Sequence, residues 1–113
     1  MGRKHVHSHK MVDAVDASST ITSGNTDVSQ VDKFSIHCKF SANVSGSFTV
    51  EAKNSDNDSY YVLDFGSALT LTTASECQIV CNEVPFKLVR LVWTPSAATA
   101  TLTATLAMKS VGA

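Results

Sequence analysis

Apolar and polar residues alternate along much of the chain after residue 30. Every second position is apolar in the segments 34–40 and 46–53, and the pattern is longest in 100–109. In this last segment one face carries Ala100, Leu102, Ala104, Leu106 and Met108. A repeat of two residues predicts β-strands that bury one face and expose the other.

Turn-forming residues divide these segments, and no apolar repeat of helical period lasts long enough for a helix. A turn is predicted at 43–46, a hairpin loop at 54–59, and a break at Pro85 before the apolar run 86–93. Further short strands are predicted at 60–65 and 77–81, and 68–73 is either a short strand or a connection. Short strands at this spacing are typical of an all-β fold, here an antiparallel β-sandwich, jelly-roll-like, with an extended N-terminal arm.

The chain divides near Gln30. Residues 1–30 lack sustained periodicity and are rich in Ser, Thr, Asp and His, so they are predicted to form the extended arm. Residues 31–113 are predicted to form the β-sandwich domain. A short strand at 19–22 could pair with this body, and we expect the arm to wrap onto a neighbouring subunit.

Composition excludes several classes of function. Charged residues make up 17% of the chain and the net charge is −1, so nothing indicates a nucleic-acid partner. No apolar run approaches the length of about 20 residues that a membrane helix requires, and no signal peptide is visible. We therefore expect no membrane partner.

The three cysteines are predicted to be reduced, buried thiols of a protein made in the cytoplasm. Cys77 and Cys81 on one strand would lie about 13 Å apart, too far for a disulfide. Cys38 with Cys77, or Cys38 with Cys81, remains open as a pairing across the sheet.

The N-terminal segment contains a run of alternating histidines, His5, His7 and His9. Imidazole binds transition metals, but this run needs further ligands, which copies of the arm could supply on a symmetry axis. A solvated arm is the favoured interpretation, so no metal site is predicted and the three histidines are only candidate ligands. The same segment is basic, and its predicted partner-binding residues are Arg3, Lys4, His5, His7, His9 and Lys10.

The run 86–93 predicts a second partner-binding element. Val89, Leu91 and Trp93 are expected to point inward, which leaves Leu88 and Val92 on an unusually apolar outer face. Val62 and Val80 on other strands are expected to extend this face, and such surfaces typically mark interfaces. Tyr60, out of phase with the buried residues, is the exposed aromatic candidate.

No catalytic constellation is present. The body holds a single histidine, His37, and the sequence has no nucleophile elbow, phosphate-binding loop or CxxC pair. We therefore expect a chain that is not an enzyme and that binds no cofactor.

Several segments together resemble a family of small virion proteins. These are GSFTVEA at 46–52, YYVL at 60–63, VPFKLVRLVWTP at 84–95 and ATATLTATL at 98–106. Over about 34–108 the chain resembles small β-sandwich or jelly-roll virion proteins of tailed bacteriophages, and it is most similar to head decoration (cement) proteins. The histidine run departs from that pattern.

The resemblance implies a capsid decoration protein that binds the major capsid protein and stabilises the shell. It implies a location on the capsid surface of the virion, synthesis in the host cytoplasm, and self-association as a homodimer or homotrimer. The alternative is a receptor- or glycan-binding accessory module of a phage tail or head fibre, which the histidine run keeps open.

Overall fold

A computed structural model describes residues 4–63, 69–82, 84 and 86–111. The described fold is all-β, as predicted, and its strands pair antiparallel throughout. In chain order they are β1 (Lys4–Asp16), β2 (Ile21–Thr22), β3 (Thr26–Asp27), β4 (Lys33–Lys53), β5 (Tyr61–Val62), β6 (Leu69–Cys81), β7 (Leu88–Ala97) and β8 (Thr101–Val111).

The long strand β4 folds back on itself. Its 21 residues would extend about 66 Å if straight, whereas the longest dimension of the molecule is 46 Å. Phe34 near its start contacts Phe86 edge-on with ring centroids 6.3 Å apart. Phe86 lies beside the other end of β4, where the Lys87 N–H donates to the Lys53 carbonyl at 3.0 Å. β4 therefore contributes one half to each of two packed layers.

The first layer has the strand order β1, β8, the 33–40 half of β4, and the 76–81 end of β6. The second layer centres on the 46–53 half of β4. β7 pairs with one side of that half and carries β2 and β3 on its far side. The start of β6 and β5 pair with its other side. This is the predicted sandwich, built from one curled sheet.

The bend of β4 replaces a predicted turn. The sequence predicts a turn at 43–46 between two strands, but the structure has one continuous strand with shifts in register there. At two register shifts of the sheet, one in the bend of β4 and one between β1 and β8, a hydroxyl on the neighbouring strand accepts a hydrogen bond from a backbone N–H. Thr73 N–H donates to Ser45 Oγ at 3.0 Å, and Ala14 N–H donates to Thr103 Oγ1 at 3.1 Å. Bulges can therefore bend the strands without leaving these donors unpaired.

The core lies between the two layers. Apart from Val44 in the bend, the buried side chains of β4, β7 and β8 are those on the predicted inward phase, and Ala100 just before β8 continues it: Phe34, Ile36, Cys38, Phe40, Phe48, Val50, Ala52, Val89, Leu91, Trp93, Ala100, Leu102, Ala104 and Leu106. Trp93 is fully buried, and its ring centroid lies 4.8 Å from those of both Phe40 and Phe48. These aromatic rings fill the inside of the bend.

The segment predicted as an N-terminal arm is extended, but within the described residues it is part of the sheet. β1 pairs with β8 along its length, and Val12, Ala17, Ile21 and Val28 are buried in the shared core. The Trp93 Nε1–H donates to the Ala17 carbonyl at 2.9 Å. Single apolar residues at irregular spacing give no periodic signal, while backbone pairing at a sheet edge does not require apolar side chains. The division at Gln30 is therefore not a boundary between separate cores.

Candidate partner-binding surfaces

The outward residues of β7 lie on the outer face of the second layer. Leu88, Arg90 and Val92 alternate with the buried Val89, Leu91 and Trp93, which confirms the predicted phase of this strand. Leu88 is directly opposite Lys53, and Val92 is opposite Thr49. Both apolar residues lie on the predicted outer face. Each is half-buried and so only partly exposed to solvent.

Arg90 is at the centre of a polar network on this face. Its Nε donates to Glu51 Oε1 at 2.6 Å, and both side chains are about a quarter exposed, at 30% and 22%. The Arg90 guanidinium lies 3.8 Å from the ring centroid of Tyr60, and Lys53 Nζ lies 4.8 Å from the same centroid. The Tyr60 hydroxyl donates to Asn25 Oδ1. Tyr60, predicted as an exposed aromatic, is therefore half-buried and already engaged by cations.

The loop after β4 is attached to the same network. It is the predicted hairpin loop 54–59, in which the Asp58 N–H donates to the Ser55 carbonyl at 3.2 Å. Lys53 Nζ donates to the Asp56 carbonyl at 3.3 Å, and Lys87 Nζ forms an ion pair with Asp56 Oδ2 at 3.2 Å. These contacts fix the loop against the ends of β4 and β7.

Val62 and Val80 are the most exposed large apolar residues described, at 62% and 53%. Val62 lies opposite Glu51 and so belongs to the outer face of the second layer. Val80 lies opposite Ser35 in the first layer. Because the inner faces of the two layers pack on each other, their outer faces point in opposite directions. The predicted apolar face formed by Leu88, Val92, Val62 and Val80 is therefore divided, and Val80 belongs to a different surface.

The basic and histidine-rich residues lie on or before β1, an edge strand. Arg3 lies outside the described residues, and so do the side chains of Lys4, His5 and His7. His9 is exposed, and Lys10 is exposed with its Nζ 3.6 Å from Asp13 Oδ1. Among the described residues, no group of three His, Cys, Asp or Glu side chains could hold a metal ion.

The outer face of the first layer carries a pair that the sequence analysis missed. His37 Nε2 lies 3.0 Å from Glu76 Oε1, with the two side chains 49% and 55% exposed. A groove of about 370 Å³ beside them is lined by Lys39, Phe40, Ser41, Thr101, Thr103 and Thr105. Alternation predicts which positions of β4 and β6 point outward. It does not predict which residues of the two strands lie opposite each other, because that depends on the register of their pairing.

Two exposed carboxylates stabilise turns that follow strands. The Ser29 hydroxyl and N–H donate to Asp27 Oδ1 at 2.6 and 2.9 Å, and these bonds lower the pKa of Asp27. The Ser18 N–H donates to Asp16 Oδ1 at 2.9 Å and lowers the pKa of Asp16. Both carboxylates therefore favour the ionised form because they accept hydrogen bonds.

No family model matches the chain. No curated protein matches it either. The fold is nevertheless similar to solved structures. SPBc2 prophage-derived protein YomS superposes with a TM-score of 0.62 at 18% identity, over 96% of this chain and 96% of that protein.

Two structures from infectious bursal disease virus are also similar in fold. A chain from the Gx strain gives a TM-score of 0.53 at 17% identity, over 96% of this chain and 32% of that chain. The VP2 subviral particle gives 0.54 at 14% identity, over 96% of this chain and 33% of that chain. This chain thus spans about a third of each viral chain. At such identities the likeness establishes a shared β fold.

No helix among the described residues is long and apolar enough to cross a membrane.

Proposed function

We propose that this chain is a virion structural protein and, within that class, a capsid decoration protein that binds the major capsid protein and stabilises the shell. The observation that carries the proposal is the fold shared with a prophage-derived protein over 96% of both chains. The fold shared with part of a chain of the VP2 subviral particle of infectious bursal disease virus points the same way. On this proposal the chain is not an enzyme, and it acts at the capsid surface after synthesis in the host cytoplasm.

The outer face of the second layer is the docking surface we favour for the capsid protein. Val62, Leu88 and Val92 supply apolar area around the central pair of Arg90 and Glu51, and the anchored loop adds charge at the Leu88 end. Protein interfaces are enriched in aromatic residues and arginine, and this face carries Tyr60 beside Arg90. The hydrogen bonds and ring contacts of Tyr60, Arg90 and Lys53 hold this polar network in place before binding, which reduces the ordering cost of association.

The edge of β1 is the second proposed contact. β1 pairs only with β8 in the described part of the chain, so its other edge offers backbone groups for strand addition. Its charged residues, including Lys10 and Asp13, oppose indiscriminate pairing. A strand from the major capsid protein or from a second copy of this chain would pair there, which accommodates a homodimer or homotrimer. Neither a nucleic acid nor a membrane is among the proposed partners.

Cosedimentation tests the proposal. The purified chain is mixed with intact phage capsids and with capsids stripped of accessory proteins. We expect saturable binding to the stripped shells, together with increased resistance of those shells to heat. Val62→Asp should abolish binding without unfolding the chain, because this side chain is 62% exposed. Val80→Asp is the matched control: it places the same charge at a 53% exposed valine of the other layer, and binding should persist.

Two negative results would contradict different parts of the proposal. If neither shell binds the folded chain, decoration is refuted, and a positive glycan-array screen would then establish the fibre alternative. If Val62→Asp and Val80→Asp weaken shell binding equally, decoration stands but the assignment of the docking face is wrong.

A further inference from the structure

Cys38 and Cys77 lie directly opposite each other across β4 and β6. Residues directly opposite in an antiparallel pair have Cα atoms about 4.5 or 5.5 Å apart, depending on their hydrogen-bonding position. Both values lie within the range of about 4.4–6.8 Å that disulfides require. Opposite residues also share one face of the sheet, so the two thiols point to the same side. The register therefore permits a cross-strand disulfide with little movement of the backbone.

The other two pairings are excluded by the same register. Cys81 lies opposite Phe34, four residues along β4 from Cys38. Four residues of strand correspond to about 13 Å, and the same distance separates Cys77 from Cys81 along β6. Of the pairings that the sequence left open, only Cys38 with Cys77 fits.

The two thiols differ in access and in acidity. Cys38 is fully buried, whereas Cys77 is half-buried and is therefore the more accessible residue of the two. A hydrogen bond between the thiols lowers the pKa of Cys77. The same bond, together with burial, raises the pKa of Cys38. Cys77 is therefore the thiol that more readily becomes a thiolate, which is the nucleophilic form.

We propose that Cys38 and Cys77 form a redox-active dithiol that reacts with small-molecule disulfides such as oxidised glutathione and closes to a cross-strand disulfide. The Cys77 thiolate attacks one sulfur of oxidised glutathione, whose S–S bond breaks as the Cys77–glutathione bond forms. One glutathione thiolate leaves and takes up the proton released by Cys77. Cys38 then loses its proton and attacks the Cys77 sulfur, which expels the second glutathione. The protein loses two electrons and two protons, and oxidised glutathione is reduced to two glutathione molecules.

The bond would join the outer strand β6 to the central strand β4 within the first layer. It would form when the protein moves from the reducing cytosol to an oxidising environment. Because the loop between the two cysteines is long, closing it reduces the conformational entropy of the unfolded chain. We expect the melting temperature to rise on the order of 10 °C. The proposal stands on the register and is independent of the proposed virion role.

The test treats the folded chain of residues 1–113 with oxidised glutathione, then quenches with acid and alkylates the remaining thiols. Intact mass spectrometry should show loss of two hydrogen atoms, and peptide mapping should find Cys38 linked to Cys77. Cys81→Ala should close in the same way. Cys38→Ala should stop at the first step and accumulate one glutathione on Cys77. Cys77→Ala serves as a second variant, in which buried Cys38 should remain unmodified.

The proposal is overturned if all three cysteines of the wild-type chain are alkylated under conditions where Cys38→Ala is glutathionylated at Cys77. It is equally overturned if the link or the adduct maps to Cys81, or if Cys81→Ala prevents closure. Reduction with dithiothreitol should restore the original mass and melting temperature, which distinguishes a native disulfide from one trapped in misfolded protein.

Discussion

Gly46 lies so close to the indole of Trp93 that no side chain fits between them. A Cβ atom at position 46 would lie 2.4 Å from Trp93 Cη2 and 2.6 Å from the Thr94 carbonyl oxygen. The contact lies where β4 bends from the first layer into the second, beside the cluster of Trp93, Phe40 and Phe48. Glycine at this position therefore allows the central strand to approach β7 and lets the bend close over the tryptophan.

Gly46→Ala should destabilise the protein by about 3 kcal/mol, because the added methyl group would overpack the core. One of the atoms it would meet is the Thr94 carbonyl oxygen, which belongs to the backbone and cannot move aside easily. Urea unfolding followed by tryptophan fluorescence measures the change. Gly24→Ala is the control: no heavy atom lies within 4 Å of a Cβ built there, so its free energy of unfolding should change by about 0.5 kcal/mol or less. Equal stability of the two variants would show that the bend does not depend on this close approach.

Side-chain alternation predicted most of the core, because burial of one strand face imposes a period of two regardless of topology. It correctly placed Val89, Leu91 and Trp93 inside, as well as the buried face of β8. Alternation could not reveal that 33–53 is one strand. The same small and polar residues occur in a strand bent by bulges and in a turn that separates two strands, so the sequence does not distinguish the two. Alternation also could not assign β1 to the sheet, because an edge strand is stabilised there by backbone hydrogen bonds.

The candidate site was less predictable for a related reason. The outward phase of Leu88 and Val92 follows from the sequence, but the contact of Arg90 with Glu51 and Tyr60 depends on which strands are neighbours. Pairing between residues 39 positions apart is a property of topology. The same limit applies to Cys38 and Cys77, for which the sequence could offer two pairings and the register leaves one.

Truncation of the N-terminal segment should have two different outcomes depending on its length. Removing residues 1–10 deletes the basic and histidine-rich part but retains Val12, Ala17, Ile21 and Val28, which are buried in the core. This variant should keep the β circular-dichroism spectrum and a cooperative melt, while losing attachment to stripped capsids.

Removing residues 1–28 should unfold the chain. It deletes all four of those core side chains and the Ala17 carbonyl that accepts the Trp93 Nε1–H. Buried aliphatic truncations cost about 2–5 kcal/mol for large side chains, and the sum approaches the total stability of about 5–15 kcal/mol typical of a domain. A cooperative melt at the wild-type temperature for 29–113 would show instead that the body folds independently of the segment.

The turn-stabilising carboxylates of Asp16 and Asp27 should account for part of the acid sensitivity of the fold. The pKa values of Asp16 and Asp27 are lowered in the folded state below the ordinary value of 3.8. Their stabilising contribution is therefore fully present above the unfolded pKa and is lost as the pH falls through the lower folded pKa. The double variant Asp16→Asn, Asp27→Asn cannot titrate at these positions.

Thermal melts from about pH 5 to about pH 2 should show a smaller loss of stability in this double variant than in the wild-type chain. The difference should be small, because both carboxylates are exposed to solvent. Identical pH profiles for the two proteins would mean that the Ser18 and Ser29 hydrogen bonds do not favour the ionised carboxylates in solution.

Thr26 on β3 should be replaceable by valine with a gain in stability. Its side chain is 7% exposed, and its Oγ1 is buried with no hydrogen-bond partner among the described residues. An unsatisfied buried hydroxyl costs about 1–3 kcal/mol, while valine has nearly the same shape and needs no partner. Thr26→Val should therefore raise the free energy of unfolding by about 1 kcal/mol.

Thr22→Val is the control. Thr22 lies on the exposed side of β2, which pairs with β7 as β3 does, so this variant should leave stability nearly unchanged. A loss of stability in Thr26→Val, measured by urea unfolding against that control, would mean that the hydroxyl has a partner in solution, such as a bound water.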